Sequence, residues 1–346
     1  MFNTLDNNLL YIAPICSHPT TVMLVDDDGR FVEQLALQLS SQFACVTFTS
    51  VDAAIKYYAD KRQDFIFKRD LTKGNSNIVA TIRDEIYNAD RFKEVVISVI
   101  DYDMPNKNGF DMMVSMGTPE SMACHSYILL TGKSPKDFNA RLTNSNVAKN
   151  LVSKGDPAYI PQLIKQIQDK SASIFQWSSY ATARRLSFDV KEKPTFFFDG
   201  NFMGIFNAYI YENKICELYL FDRQGSFLFL DKDANLSWLF VRNDMGVAKS
   251  IATATKYNAP EAVIKALKSK EVILSLYEPQ DFAALKNISW EKYLLPATIL
   301  PTDDKYTSQL NLHYDSNYYY AFTKDFPSHG IARNKILSYQ EFIDGF

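Results

Sequence analysis

The sequence lacks several things that would narrow its class at once. Its four cysteines, Cys16, Cys45, Cys124 and Cys216, are far apart and form no CxxC pair, which excludes a disulfide framework and a zinc knuckle and predicts buried free thiols in a reducing compartment. No run of about 18 apolar residues occurs, and residues 1–8 have neither a basic n-region nor an apolar core, so a cytoplasmic protein without membrane insertion is expected. Charge of one sign is not in excess. A formal net charge of −3 and a pI near 5.9 offer no global case for nucleic acid or an anionic membrane, and no basic run is visible. Helix-turn-helix, GGDEF-like, EAL-like and HD-type metal signatures are also missing.

What is present begins with carboxylates at the ends of apolar runs. Asp26-Asp27-Asp28 closes Thr21-Val22-Met23-Leu24-Val25, and Val99-Ile100 runs into Asp101-Tyr102-Asp103-Met104-Pro105. Ile128-Leu129-Leu130-Thr131-Gly132 and Leu151-Val152-Ser153-Lys154 add a hydroxyl and an ammonium at the ends of two further runs. Apolar strands that each end in a polar group build an acidic, cation-binding crevice at the C-terminal edge of an open α/β sheet. Carboxylates with one hydroxyl and one lysine read as a phosphoryl acceptor. Asp28 has an alternative use as the cap of the following helix, because a carboxylate there satisfies free amides.

With 346 residues, two cores are expected. The boundaries read as an N-terminal extension over 1–19, a first domain over 20–170, a helical linker over 171–194 and a mixed α/β output domain over 195–346. In the first domain the patterning predicts strands at 21–26, 44–49, 95–100, 126–131 and 150–153, with helices at 29–41, 51–59, 136–145 and 158–170. The 60–93 stretch delays the third strand and holds a plausible helix near Ile78–Ile82; its fold is left open. Ile164, Ile167, Ser171, Ile174 and Trp177 keep helical spacing, so the last helix is expected to run on to about Leu186. In the second half, Phe206–Tyr211 alternates like a strand, residues 217–221 and 226–230 flank a turn, and a helix is expected over 260–269. A strand follows at 271–276, with a helix at 279–287, a strand at 318–322 and a helix from 334 to 342.

These motifs resemble the receiver domain of two-component response regulators over roughly residues 20–170. The resemblance implies a doubly wound, flavodoxin-like parallel sheet. It implies Asp101 as phosphoacceptor, Thr131 as switch hydroxyl, Lys154 as phosphoryl-binding lysine and Mg²⁺ on Asp26, Asp27, Asp101 and the Asp103 carbonyl. The Asp-Tyr-Asp-Met-Pro run with Gly109 carries it most strongly. Three departures stand out: Leu151 occupies the position where receivers carry a switch aromatic, Gly155 follows the lysine where proline is usual, and the acidic pair is about 30 residues further from Asp101 than a compact receiver needs.

With its insertion and its aromatic C-terminal half, the whole chain resembles the Lqs-type quorum-sensing response regulators. That implies a sensor histidine kinase partner, a small α-hydroxyketone signal upstream, a phosphorylation-enhanced homodimer, an unassigned downstream protein or nucleic acid, and an output domain of nuclease-like architecture. Glu217, Asp231 and Lys232 are the residues that could supply a nuclease-like acid-acid-lysine site, against the simpler reading of hairpin surface charge. A receiver-regulated nuclease or hydrolase and a phosphorylation-independent scaffold are the alternatives. Tyr318, Tyr319 and Tyr320 read as base-stacking or core aromatics, with core packing favoured. His313 and His329 have no evident ligand companions.

Overall fold

In the computed structural model the described residues are 10–11, 15–64, 68–69, 78–105, 107–115, 125–132, 150–188, 200–222, 224–276, 289–300, 317–324 and 330–345. The chain divides into two compact units. One comprises Ile15–Phe67, Asn88–Ala181 and Leu337–Phe346; the other comprises Met1–Pro14, Lys68–Tyr87 and Thr182–Ile336.

The first unit is built on five parallel strands: β1 (Thr21–Val25), β2 (Ala44–Phe48), β3 (Ile97–Asp101), β4 (Ser126–Thr131) and β5 (Leu151–Ser153), in the order β2-β1-β3-β4-β5. This is the flavodoxin-like order, whose ligand crevice lies beyond the carboxyl ends of the strands where the winding reverses, between β1 and β3. Alternate residues face opposite layers. Val22, Leu24, Val99, Ile128, Leu130 and Val152 join one cluster with Val32, Leu35 and Leu39 of α1 (Gly29–Leu39) and with Leu163 and Ile167. Met23, Val25, Ile100 and Leu129 join another with Val51, Ala54 and Tyr58 of α2 (Val51–Asp64) and with Met112 of α3 (Gly109–Ser115). Burial on both faces explains why these strands read as unbroken apolar runs. Helix α4 (Tyr159–Phe188) runs for 30 residues, close to the extension anticipated from its spacing. The expected helix at 136–145 lies outside the described residues.

The last ten residues return to this unit. Ser338 and Glu341 form a capping box for the Tyr339–Asp344 helix, and Tyr339, Phe342 and Ile343 pack with Phe92 and Ala44. Tyr339 Oη donates to the Thr20 carbonyl at 2.8 Å, and the His18 ring stacks on Tyr339 with centroids 4.5 Å apart. Thr20, Ala44 and Phe92 sit at or before the starts of strands, so this helix covers the edge opposite the carboxylates.

In the second unit the strands Thr298–Leu300, Tyr318–Thr323, Leu236–Asn243, Phe227–Asp231 and Ile215–Leu220 are antiparallel neighbours in that order. One face presents Tyr219, Leu228, Leu230, Trp238, Phe240, Tyr319 and Ala321. Ile82 and Ile86 pack there, from the Ile78–Tyr87 helix of the segment left open above. That segment therefore belongs with the second core, and residues 337–346 belong with the first, unlike the linear division read from sequence. The opposite face carries Phe227, Phe229, Tyr320 and Phe322, which meet Phe202, Phe206 and Tyr209.

The alternation at Phe206–Tyr211 misled: the segment is part of the helix Gly200–Glu212. Phe202, Phe206 and Tyr209 recur at helical spacing on one face, and Tyr211, which a strand would have paired with Tyr209, is 87% exposed. The helix expected near 260 is Glu261–Ser269, followed by the strand Val272–Leu274. The C-terminal helix begins later than anticipated, after a 3₁₀ turn at Arg333–Lys335. The expected helix at 279–287 lies outside the described residues. Among those residues, no helix is long and apolar enough to cross a membrane.

Candidate phosphoryl-acceptor site

The C-terminal ends of β1, β3, β4 and β5 bring the sequence-selected residues together. Asp26, Asp27 and Asp101 each offer a carboxylate oxygen, and these atoms lie within 4.8 Å of one another. Among the described residues, this is the group of three acidic or other metal-ligating side chains that could hold an ion. Asp26 and Asp101 are buried and Asp27 is exposed, so the cluster opens to solvent on one side.

Local hydrogen bonds fix each carboxylate. Asp26 Oδ1 accepts the Asp28 amide at 3.0 Å, and Asp101 Oδ2 accepts the Asp103 amide at 3.0 Å. Asp28 takes the bland alternative raised above: its Oδ1 accepts the amides of Arg30 and Phe31 and caps α1. The Tyr102 amide donates to the Leu130 carbonyl at 2.9 Å, keeping the end of β3 in register with β4. Gly109 is required behind it, since a Cβ there would stand 2.4 Å from the Asp101 carbonyl oxygen.

Lys154 reaches into the cluster from the end of β5. Its Nζ donates to Asp26 Oδ2 at 2.6 Å and forms an ion pair with Asp101 Oδ1 at 2.8 Å. Its amide donates to the Thr131 carbonyl at 2.7 Å, and the Thr131 side chain is buried. The register pairs Thr131 with Ser153, which places the hydroxyl-bearing and ammonium-bearing residues on adjacent strand ends. Leu151 stands in β5 beside Leu129 and packs partly buried against the α2 and α3 layer. Asp103 is exposed beyond the end of β3. Gly132 has open space around the position of a Cβ.

The environment sets the basicity of both partners. Burial raises the pKa of Asp101, and the Asp26 charge adds to that, while Lys154 and the Asp103 amide pull the other way. Burial works against the Lys154 ammonium, but its hydrogen bonds to Asp101 and Asp26 outweigh it and hold the pKa above the ordinary lysine value. The outcome is a more basic carboxylate beside a firmly protonated lysine.

The donor set suits a small hard cation. Carboxylate and carbonyl oxygens are what Mg²⁺ takes, and ligands sharing one such ion sit within roughly 4 Å of each other, so the observed spread closes with small side-chain movements. Asp26, Asp27 and Asp101 are consistent with that role.

The residues of the nuclease-like trio each have a local partner. Glu217 is buried and accepts the Tyr219 hydroxyl at 2.6 Å, Asp231 accepts the amides of Asp233 and Asn235 within its own turn, and exposed Lys232 pairs with Asp233. The nuclease-like reading of the output domain therefore has no support. Tyr318, Tyr319 and Tyr320 are buried, which rules out the stacking role in favour of the core one. Cys16, Cys45 and Cys216 are half-buried rather than buried, and burial pushes the Cys45 thiol up to about 12. Cys124, His313 and His329 lie outside the described residues.

One neighbour escaped the sequence reading as part of the site. Lys154 Nζ sits 4.4 Å from the centroid of the Phe31 ring. In sequence, Phe31, Leu35, Ala36 and Leu39 recur at helical spacing, which marks Phe31 only as one residue of the apolar stripe of α1.

No protein-family model matches the chain, and no curated protein matches it. Among solved structures, the Legionella pneumophila response regulator LqsR superposes over 96% of this chain and 95% of its own, with TM-score 0.60 and 28% identity. A receiver domain protein of Clostridium thermocellum covers 44% of this chain and 94% of its own at 16% identity and TM-score 0.30. The receiver domain of Francisella response regulator 1452 covers 44% and 97% at 13% identity and TM-score 0.29. With its parallel first unit, mixed α/β second unit and acidic cluster at the strand ends, the chain has a receiver-like fold in its first unit and is structurally similar to the response regulator LqsR.

Proposed function

We propose that this protein is a response regulator that takes a phosphoryl group onto Asp101 from the phosphohistidine of a sensor kinase. The observation that carries the reading is the Lys154 ammonium held between Asp26 and Asp101, with Asp27 in the same acidic group and Thr131 on the adjoining strand end. Asp101 Oδ attacks phosphorus, the P–N bond to the kinase imidazole breaks as the P–O bond forms, and the imidazole leaves with a proton. Mg²⁺ bound by Asp26, Asp27, Asp101 and the Asp103 carbonyl would supply neutralisation of the phosphoryl oxygens. Lys154 moves from its pairing with Asp26 to a phosphoryl oxygen, a task suited to a point charge on a flexible stem. The Thr131 hydroxyl donates to another.

The added charge, roughly −1.5 to −2, then draws Thr131 and Lys154 inward and biases the surface around β5 and α4 toward homodimerisation. The sequence resemblance to Lqs-type regulators extends the proposal to quorum-sensing signal transduction in the cytoplasm, downstream of a kinase for an α-hydroxyketone signal, and the likeness to the response regulator LqsR supports the response-regulator part of it. The test uses the full chain with MgCl₂ and acetyl phosphate, read by intact mass and light scattering. One phosphoryl adduct and a mass near twice the monomer, both lost in Asp101→Asn, are expected. An adduct without a change in molar mass would refute dimerisation as the output, and no adduct with acetyl phosphate, phosphoramidate or a kinase would refute the acceptor role.

A further inference from the structure

The lysine that serves the proposed reaction is fixed at its backbone and loose beyond it. The Lys154 amide is tied to Thr131, but four side-chain torsions separate that anchor from Nζ, and the side chain is 24% exposed. Two carboxylates attract the ammonium, yet both belong to the group that would bind Mg²⁺, so neither pairing persists when cation and phosphoryl group arrive. A third contact is independent of that exchange: the face of Phe31, 4.4 Å from Nζ.

The Phe31 ring is well secured. Asp28 accepts the Phe31 amide at 3.2 Å as it caps α1, and the side chain packs partly buried on the cluster of Val32, Leu35, Leu130 and Val152. The third aspartate of the triplet thus acts at one remove, by starting the helix that carries the ring. A ring face attracts an ammonium through its quadrupole without being a base or metal ligand, and it does so more strongly where water is partly excluded.

We propose that Phe31 is the positioning residue for Lys154, holding the ammonium at the acceptor crevice by a cation–π contact while its carboxylate partners are exchanged for Mg²⁺ and phosphate. The proposal rests on the acceptor role of Asp101. It predicts that a ring, not merely apolar bulk, is needed at position 31.

The experiment compares wild type, Phe31→Leu and Phe31→Tyr, each with Lys154 and with Lys154→Ala, as full chains in MgCl₂ with acetyl phosphate. Asp101 phosphorylation rate and the shifts of the Lys154 ε-methylene protons are read together. Loss of the ring slows phosphorylation roughly 3- to 30-fold, the range of a cation–π contact. Phe31→Tyr recovers most of that loss, and in the Lys154→Ala background Phe31→Leu causes no further slowing. The ε-methylene protons carry an upfield ring-current shift in wild type that Phe31→Leu removes. Equal rates for wild type and Phe31→Leu, or the same loss with and without Lys154, would overturn the proposal, the second because it marks a structural effect. If wild type is not phosphorylated at all, the acceptor role fails instead; absence of the ring-current shift then overturns the contact itself.

Discussion

Phe342 lies in the short Tyr339–Asp344 helix, yet its removal is expected to loosen the five-stranded parallel sheet. The ring is 7% exposed and packs on Phe92, itself 1% exposed, with centroids 5.3 Å apart. Truncating a core phenylalanine to alanine costs about 3–5 kcal/mol, and a six-residue helix at an edge can shift to refill part of the space, so Phe342→Ala should cost about 3 kcal/mol. With a urea dependence of about 1–3 kcal/mol/M, that moves the unfolding midpoint of this unit down by about 1–3 M. Ser338→Ala, which removes the capping box, should cost about 1 kcal/mol by the same route. Hydrogen exchange assigns the effect: protection should fall at Ala44–Phe48 and Ala89–Lys93. If these segments keep wild-type protection and the midpoint moves by less than about 0.5 kcal/mol equivalent, the docking of the C-terminal helix contributes nothing and the argument is wrong.

Three further outcomes follow from other parts of the molecule. Gly109→Ala places a Cβ against the Asp101 carbonyl and should displace the end of β3; the expected cost is about 2 kcal/mol or more in thermal stability, with phosphorylation of Asp101 reduced. Arg242, buried, paired with half-buried Asp222 at 2.9 Å and also bound to Ser226 and the Val241 carbonyl, should cost about 3 kcal/mol when changed to alanine, read by urea unfolding of the second unit, because the Asp222 carboxylate loses this ion pair in a largely desolvated setting. Burial raises Glu94 from 4.5 to about 7, so the folded state holds its proton more tightly than the unfolded chain. Stability therefore falls as pH rises between those values, by up to roughly 3 kcal/mol, and Glu94→Gln should flatten that part of the profile in pH-dependent denaturation.

The sequence alone determined the acidic crevice proposed as the acceptor site. Each polar group stands immediately after a buried apolar run, and parallel strands bring all such ends to one edge, so Asp26, Asp27, Asp101, Thr131 and Lys154 could be assembled on paper. The cap at Asp28 was legible for the same reason: capping is local. Tertiary structure decided what depended on distant partners. The Ile78–Tyr87 helix and the Tyr339–Asp344 helix are ordinary amphipathic segments, and only the surfaces they cover assign one to the aromatic sheet and the other to the receiver. Phe206–Tyr211 satisfies both strand and helix periods, and the aromatic face of Phe227, Phe229 and Phe322 selected the helix. Glu217 became a buried hydrogen-bond acceptor because it falls on the covered face of its sheet with Tyr219 and Leu230, and Phe31 came to touch Lys154 because the start of α1 and the end of β5 converge, a meeting that no spacing between residues 31 and 154 encodes.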